Sequence, residues 1–293
     1  MRSFSSLPRV VAAVCLAALA LSYAGPVHPL GDSLAVFRPI WAGALLLAAL
    51  GLRGLSRLGA VTLSAAALLS MGQSLLASEQ GPDRGAPIRI YQKNLRYDVA
   101  DTSRFAADIR TSDADLVMLQ EVSAQNRSLP QALSSSHPYQ LVCVANAIIS
   151  VAVLSRWPFA EPPVCPDHRG LTAVRVSAPG GDLTAAALHM HWPWPFGQGA
   201  QVPDLLPQLK ALPQPVVLGG DFNMVPWGHA ARAIQEATGT RRVGPVRPSF
   251  MLLSVYPIAI DHVLVPEGWH GEARMRPRLG SDHRGIAVEA WRE

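Results

Sequence analysis

Three apolar runs in the first 78 residues constrain this chain more than any other feature. Residues 10–31 carry no charge, residues 34–52 are apolar apart from Arg38, and residues 58–78 are again uncharged. A helix of about 20 such residues crosses the roughly 30 Å hydrocarbon core of a bilayer. Because the runs show no polar stripe, we predict a membrane region over residues 1–78, with three transmembrane helices at about 10–27, 34–52 and 58–77.

The basic residues of this region indicate its orientation. They precede the first run and separate the second from the third: Arg2, Arg9, Arg53 and Arg57. The connection over residues 25–33 has no Lys or Arg, so the chain after residue 78 should lie outside, with Arg38 reaching the outer interface. We expect an integral protein of a bacterial inner membrane with a periplasmic C-terminal domain. A cleaved signal peptide ending near Ala24 is an alternative for the first run and gives the same side.

The remainder of the chain has the composition of a soluble domain. Residues 79–86 are polar and rich in Gly and Pro, which predicts a linker. Residues 87–293 hold 19 basic and 18 acidic residues, so this domain lacks the basic surface of a dedicated nucleic-acid binder. Cys143 and Cys165 follow neither zinc nor redox spacing, and outside the cytoplasm we predict that they form a disulfide.

Short apolar runs alternate with polar helical stretches after residue 87. Strands are predicted over residues 88–95, 114–122, 139–144, 147–156, 171–178, 183–192, 215–221, 258–265 and 284–291. Helices are predicted over residues 101–112, 200–212 and 228–237. Many strands with interspersed helices, including a hairpin turn at residues 178–182, predict a mixed-sheet α/β domain.

One predicted strand ends in a chemically distinctive way. Val216–Leu218 is a short buried-strand signal, and Gly219 and Gly220 after it remove side-chain bulk and permit unusual φ values. Asp221 and Asn223 follow, two residues apart, and in an extended chain they point to the same side. We interpret this stretch as a carboxylate and an amide at the mouth of a rigid strand, beside a backbone that a substrate can approach closely.

Other predicted strands also end in, are interrupted by or are preceded by polar groups that do not suit a core. They are Asn94, Gln120, Glu121, His189, Asp261, His262, Asp282 and His283. Burying one such group unpaired costs about 2–7 kcal/mol. We therefore expect them to meet, in one site that satisfies them all.

The order of these residues resembles the endonuclease/exonuclease/phosphatase superfamily over roughly residues 87–293. The resemblance rests on GGDFN at 219–223, LQEV at 119–122 and SDHRGI at 281–286. YQKNL at 91–95, VLSRWP at 153–158, LHMHW at 188–192 and IDHVLV at 260–265 support it. It implies a four-layer α/β sandwich of two mixed β-sheets flanked by helices. It also implies hydrolysis of a phosphate ester with a divalent cation, usually Mg²⁺, although Mn²⁺ or another ion is an alternative.

The resemblance also implies roles for individual residues. Glu121 would be the main metal ligand, with Asn94 beside it and Asp282 at a second metal position or ordering water. Gln120 would support the site. Mg²⁺ suits such a site, because it prefers one or two carboxylates and keeps several waters.

The remaining positions would act on the phosphate and the water. Asp221 would orient or deprotonate the attacking water, and Asn223 would donate a hydrogen bond to a phosphate oxygen. His283 would contact the phosphate, with its ring held by Asp261. His189 is the expected second phosphate-facing histidine, and His191 is its alternative. His262 faces the other way on its strand, and we interpret it as a packing residue.

The loop WPWPFGQG, at residues 192–199 after His189, is unusually aromatic. It predicts either a Pro-rich turn that covers the core or a wall that contacts the substrate or the bilayer. Together these features predict a membrane-anchored, metal-dependent phosphoesterase that touches the bilayer through residues 10–77, with no protein partner evident. An extracytoplasmic nuclease and a non-catalytic membrane scaffold on the same fold are the alternatives.

Overall fold

The N-terminal part of the chain is a group of helices. The computed structural model describes residues 6–76, 85–163, 165 and 170–292. The first helices are α1 (Leu7–Leu21), α2 (Leu30–Val36), α3 (Arg38–Ala48, continued by a 3₁₀ turn at Ala49–Gly51) and α4 (Gly54–Leu76). Buried small and apolar side chains join α1, α3 and α4: Ala12, Cys15, Leu19, Ala42, Leu45, Ala60 and Ala67.

These helices differ from the three predicted membrane spans. Among the described residues, only Gly54–Gly72 within α4 is by itself long and apolar enough to cross a membrane. Helix α1 has 15 residues, about 22 Å at 1.5 Å per residue, which is short for a span. The predicted span over 34–52 begins inside α2 and is bent by 68° between α2 and α3, so the bent pair counts as at most one further span.

Proline explains the bend. Pro39 lies in the first turn of α3, where its ring cannot continue a helix from the preceding turn. Arg38 also differs from the prediction, since it does not extend to an interface. Its side chain is 3% exposed, and its guanidinium donates to Ser22 and to the backbone oxygen of Trp227.

The rest of the described chain alternates strands and helices. In order they are β1 (Ile88–Asn94), α5 (Ser103–Thr111), β2 (Leu116–Val122), α6 (Ser128–Ala132), β3 (Tyr139–Val144), β4 (Ser150–Ser155), β5 (Leu171–Val176), β6 (Leu183–His189), α7 (Gln198–Lys210), β7 (Val216–Asp221), α8 (His229–Thr238), β8 (Thr240–Arg242), β9 (Phe250–Leu252), β10 (Tyr256–Ile258), β11 (Asp261–Pro266), β12 (His270–Met275) and β13 (Ile286–Trp291). The strand predicted over 258–265 is thus divided, because β10 pairs with β9 while β11 joins a larger sheet. Residues 79–84 of the predicted linker lie outside the described residues.

Two mixed sheets carry the domain. One has the strand order β12-β13-β1-β2-β4-β3, and the other has the order β5-β6-β7-β11-β8. The pairs β1–β2 and β6–β7 are parallel, and the other pairs within these two sheets are antiparallel. Because β1, β2, β6 and β7 each end in a predicted site residue or next to one, this topology brings those residues to one edge.

Alternating side chains build three apolar layers. Ile90, Met118 and Val217 belong to the core between the two sheets, whereas Tyr91 packs with Phe105 and Ile109 of α5 on the outer face of the first sheet. On the outer face of the second sheet, buried side chains of α7 and α8 pack over β7. The observed layers are therefore helices, sheet, sheet and helices, as a mixed α/β fold with two large sheets requires.

The two glycines of the central strand serve packing and not an unusual backbone. Neither lies in the left-handed region. A Cβ on Gly219 would lie 2.6 Å from the sulfur of Met118 in the facing sheet, and one on Gly220 would lie 2.3 Å from the oxygen of Leu188. The expectation of unusual φ values is therefore wrong, and the missing side chains are needed for close approach of neighbouring protein.

The predicted disulfide is confirmed. Cys143 on β3 is bonded to Cys165, which lies 22 residues later in the chain. Cys15 in α1 is a free, buried thiol.

Candidate active site

The carboxyl ends of β1 and β2 place an amide beside a carboxylate. The Nδ2 of Asn94 donates to Oε1 of Glu121 and to Oδ2 of Asp221, at 2.9 Å in each case. The Oδ1 of Asn94 accepts the backbone N–H of Arg96 at 2.9 Å, so the amide orientation is fixed from both ends. Asn94 therefore holds two carboxylates from different sheets at one point.

Glu121 is held in a strained backbone conformation. Its φ is +57°, and the pairing of β2 with β4 is irregular between Leu119 and Val122. A non-glycine residue in this region costs about 1–2 kcal/mol, which surrounding contacts must offset. The backbone N–H of Tyr97 donates to Oε2 at 2.9 Å, and Asn126 donates to the backbone oxygen of Glu121 at 2.9 Å. The irregularity turns this carboxylate out of the core and toward the facing sheet.

Asp221 lies at the centre of the cluster. It is 1% exposed, and its Oδ2 is 3.6 Å from Nε2 of His189 and 3.7 Å from Nε2 of His283. Burial raises the pKa of Asp221 to about 7, against the opposing effect of the cationic His283. A carboxyl group whose pKa lies near neutrality is well matched to proton transfer with water.

His283 and Asp261 form a buried pair. The two side chains meet at 2.8 Å between Nδ1 and Oδ2, and Oδ1 of Asp261 accepts the amide of Gln92 at 2.9 Å. Burial opposes a charged ring, but the carboxylates of Asp261 and Asp221 outweigh it and raise the pKa of His283 to about 10. The ring is thus a cation at neutral pH, and its Nε2 points toward Asp221.

His189 is the second histidine in the cluster, and its state differs. Its Nε2 is 3.6 Å from Oε1 of Glu121. Burial lowers the pKa of His189 to about 4, with His283 adding to the effect, so the ring is neutral at pH 7. His191, two residues later, lies beyond the end of β6 and is exposed, so the two histidines do not share a strand face as predicted.

A cavity of about 330 Å³ opens over these groups. Its lining is Glu121, His189, Met190, His191, Trp192, Phe196, Asp221, Asn223, Phe250, Asp282 and His283. Asp282 is exposed at this rim and does not belong to the carboxylate–histidine groups described below. The predicted residues therefore converge, but Asp282 and His191 lie at the edge of the site and not at its centre.

An aromatic wall closes one side of the cavity. Phe250 at the start of β9 lies 4.8 Å from the His283 ring and 5.7 Å from Trp192, measured between ring centroids. The sequence indicated the tryptophan, but nothing in it singled out the phenylalanine. Phe250 reaches the site only because β9 pairs with β10 immediately before Asp261.

Lys93 supports the loop that carries His283. It is fully buried, and its ammonium donates to the backbone oxygens of Pro277, Arg278 and His283 at 3.3, 3.0 and 2.6 Å. Burial lowers the pKa of Lys93 to about 8. A lysine inside a buried strand sequence is unusual, and that signal could have identified it before the structure.

Two glutamines connect the sheets beneath the site. The Nε2 of Gln92 donates to Oε1 of Gln120 at 2.8 Å as well as to Asp261. Gln120, predicted as a supporting residue, therefore acts on Asp261 through Gln92. His262 faces away, with its Nε2 2.8 Å from the oxygen of Met224 and its ring against Phe222, as expected for a packing residue.

The donor set suits a hard divalent cation. Ligand atoms of Glu121, His189 and Asp221 lie within 4.8 Å of one another, and so do those of Asp221, Asp261 and His283. Carboxylate oxygens are the ligands that Mg²⁺ and Mn²⁺ prefer. The oxygen Oδ1 of Asn223 is buried in this lining without a partner among the described residues, while its Nδ2 donates to Met190 at 2.7 Å. The first group fits a cation best, because the second is already joined by the Asp261–His283 hydrogen bond.

Several solved structures share this fold. Sphingomyelinase C from Streptomyces griseocarneus is 16% identical, over 70% of this chain and 99% of that chain, with a TM-score of 0.51. A humanized TDP2 from D. rerio is 16% identical, over 71% and 100%, with a TM-score of 0.56. Beta toxin from Staphylococcus aureus with bound magnesium ions is 13% identical, over 71% and 100%, with a TM-score of 0.50. Comparison with curated proteins gave no match.

The sequence itself matches a family profile over the region that builds the site. The profile of the Endonuclease/Exonuclease/phosphatase family covers residues 88–283, which includes each strand end described above from Asn94 to His283. The chain belongs to the Endonuclease/Exonuclease/phosphatase family and is a phosphoric ester hydrolase of that type.

Proposed function

We propose that this protein is a membrane-anchored phosphoesterase that uses a divalent cation and an activated water. The observation that carries the proposal is the convergence of Glu121, His189 and Asp221 within 4.8 Å, beside the buried pair of His283 and Asp261. Glu121 would hold Mg²⁺ with Asp221 beside it, and Mn²⁺ or another divalent ion is the alternative. Such a cation, when bound, neutralises charge on a phosphate oxygen.

The other side chains of the site have separate proposed roles. Asp221, with a pKa near 7, is suited to orient the attacking water and take its proton. His283 is cationic and faces the same point, so it would bind a phosphate oxygen and stabilise the charge that develops during in-line attack. Asn94 keeps Glu121 and Asp221 in register, and Asp261 fixes the ring of His283. Asn223 and His189 would complete the phosphate contacts.

The N-terminal helices support the membrane part of the proposal. Large apolar side chains on their outer faces are exposed, among them Val10, Val14, Leu47, Leu50 and Leu69 at 59–73%. Exposing such apolar side chains to water costs free energy, whereas contact with lipid does not. The distribution of arginines supports an orientation with the domain outside the cytoplasm, in the periplasm of a bacterial cell. The Cys143–Cys165 disulfide agrees with an oxidising compartment.

A panel assay tests the proposed function. Purified protein is incubated with bis-p-nitrophenyl phosphate, plasmid DNA and sphingomyelin, with Mg²⁺ and with a chelator. We expect Mg²⁺-dependent hydrolysis of at least the first ester, and a loss of about 100-fold or more in His283→Ala. Cleavage of DNA alone would favour the alternative of an extracytoplasmic nuclease. A folded protein inactive on every ester would favour a non-catalytic scaffold.

A further inference from the structure

The segment between α1 and α3 packs on the catalytic domain and is not a free tether. The carboxylate of Asp32 in α2 accepts the backbone N–H groups of His229 and Ala230 at 2.6 and 3.1 Å, so it caps α8. In return, Trp227 donates its indole N–H to the oxygen of Ala35 at 2.7 Å. Asp32 is 6% exposed. The helices and the domain are therefore joined by buried, directional contacts.

The same segment holds the two loops that border the active site. Ser33 donates to the backbone oxygen of Trp194 at 2.6 Å, in the loop that begins after His189. The hydroxyl of Tyr256, at the start of β10, donates to the oxygen of Val36 at 3.1 Å, and its ring stacks on Phe37 at 5.5 Å between centroids. Because β10 pairs with β9, which carries Phe250, this contact reaches the aromatic wall of the cavity.

Chain connectivity indicates where the segment between α1 and α3 lies relative to a membrane. Helix α1 ends and α3 begins at this segment, and α4 returns toward it after a short turn at residues 49–53. Contacts of α3 with both α1 and α4 agree with this up-and-down arrangement. If the helices lie in a bilayer, α2 lies at its outer surface and the loops bound to α2 lie there too.

Those loops expose apolar side chains that have no evident use in water. Trp194, Phe196, Leu253 and Val255 are 47, 66, 85 and 75% exposed, and we call them the apolar rim. Leu253 also has a φ of +50°, which is unfavourable for a bulky residue. Soluble proteins seldom group such residues on neighbouring loops, and a shared contact with lipid accounts for them.

The lining of the cavity agrees with a lipid more than with a free polyanion. Among the residues that the structure describes, the lining has no Lys or Arg, whereas Trp192, Phe196 and Phe250 are all present. Soluble nucleic acids are bound through several basic contacts to phosphates. A single phosphate ester with an apolar neighbour needs one cationic ring and aromatic surface, which His283 and the wall supply.

We infer that the apolar rim rests on the bilayer that holds the helices, so that the active site opens at the membrane surface and acts on a phosphate ester carried by a lipid. The inference rests on the proposed function for the chemistry. The docking itself depends only on the contacts of α2 and on the rim.

Docking is tested without any enzymatic activity. A Leu253→Cys variant is made in a Cys15→Ala background, labelled with an environment-sensitive fluorophore, and reconstituted in phosphatidylethanolamine–phosphatidylglycerol nanodiscs. Lipids with a spin label high on the acyl chain should quench this probe strongly. The same spin-labelled lipids should leave a probe at Gln131→Cys largely unquenched, because Gln131 lies on α6, on the outer face of the sheet that contains β1 and β2. Equal quenching at the two positions would overturn the docking.

The substrate class is tested with two acidic residues on the rim. Leu253→Asp combined with Val255→Asp should lower hydrolysis of phospholipid in vesicles of the same composition, or of sphingomyelin added to them, by about tenfold. This corresponds to about 1.4 kcal/mol of lost bilayer affinity. Hydrolysis of bis-p-nitrophenyl phosphate should stay within about twofold, because neither residue lines the cavity.

The control pair is Val142→Asp with Val144→Asp, which are 42 and 54% exposed on the outer strand β3. It should change neither activity. The lipid assignment would be overturned if the rim variant lost activity on both substrates or if the control pair lost as much lipid hydrolysis as the rim variant. It would also be overturned if the wild-type protein cleaved the soluble ester but no lipid. A wild-type protein inactive on all esters would refute the proposed function, while the quenching result would still decide the docking.

Discussion

Replacing Asp32 by alanine should destabilise the catalytic domain although the residue belongs to the N-terminal region. Its carboxylate makes two hydrogen bonds to the first turn of α8, and Gly228 at the N-cap position has no side chain to replace it. Loss of a helix N-cap costs about 0.5–2 kcal/mol, and a carboxylate near the positive end of the helix adds about 0.3–1 kcal/mol. Because the bond from His229 is 2.6 Å long and the carboxylate is buried, we expect about 2–3 kcal/mol in total.

The assay is thermal unfolding in detergent, followed by circular dichroism and by tryptophan fluorescence. For a domain of this size, about 2–3 kcal/mol corresponds to a fall in Tm of roughly 5–10 °C. Asp32→Asn is the matched control, because it keeps an acceptor but loses the charge. Its Tm should lie between those of the wild type and Asp32→Ala. Limited proteolysis should also cut the segment before α3 faster in Asp32→Ala. An unchanged Tm with unchanged proteolysis would refute the view that α2 is fastened to the domain.

Three further predictions concern the domain itself. Asp261→Asn should lower kcat/KM by about 100-fold at pH 7.5, and the loss of activity on the alkaline side should move to lower pH, since the carboxylate no longer raises the pKa of His283; an unchanged pH profile would contradict the pairing. Reducing the Cys143–Cys165 bond, which spans 22 residues, should lower the free energy of unfolding by about 3 kcal/mol in urea titrations, and an unchanged urea midpoint would show that the bond does not stabilise the fold. Burial lowers the pKa of His137 to about 4, so the unfolded chain takes up a proton first and stability should fall by about 1.4 kcal/mol per pH unit from 6.5 toward 4. His137→Gln should flatten this acid slope, and an equal slope in the variant would exclude the residue as its cause.

The sequence predicted the parts of the site that depend on local pattern. Glu121 and Asp221 stand where an apolar strand run ends and His283 stands just before one begins, and the resemblance to the family gave them roles. The two-sheet α/β fold followed from the same runs. These features depend on residues close together in the chain, which is why a single sequence reveals them.

The parts that escaped prediction depend on contacts distant in sequence. Asp32 caps a helix 197 residues later, and Lys93 holds a loop about 190 residues away. Phe250 enters the site because of a short two-stranded sheet that no pattern indicated. The predicted span over 34–52 was wrong as one straight helix because Pro39 outweighs an apolar run, and Arg38 is buried because the domain supplies acceptors for it.

The most direct test of the central claim measures the Mg²⁺ dependence of bis-p-nitrophenyl phosphate hydrolysis in wild-type protein and in Glu121→Gln. We expect wild-type activity to be lost with a chelator and restored by Mg²⁺. We expect Glu121→Gln, with an unchanged circular dichroism spectrum, to lose about a thousandfold or more in kcat/KM at every Mg²⁺ concentration, because the carboxylate beside Asp221 no longer holds the cation. Hydrolysis by the variant at close to the wild-type rate, or wild-type activity that is indifferent to the chelator, would contradict a cation held by Glu121.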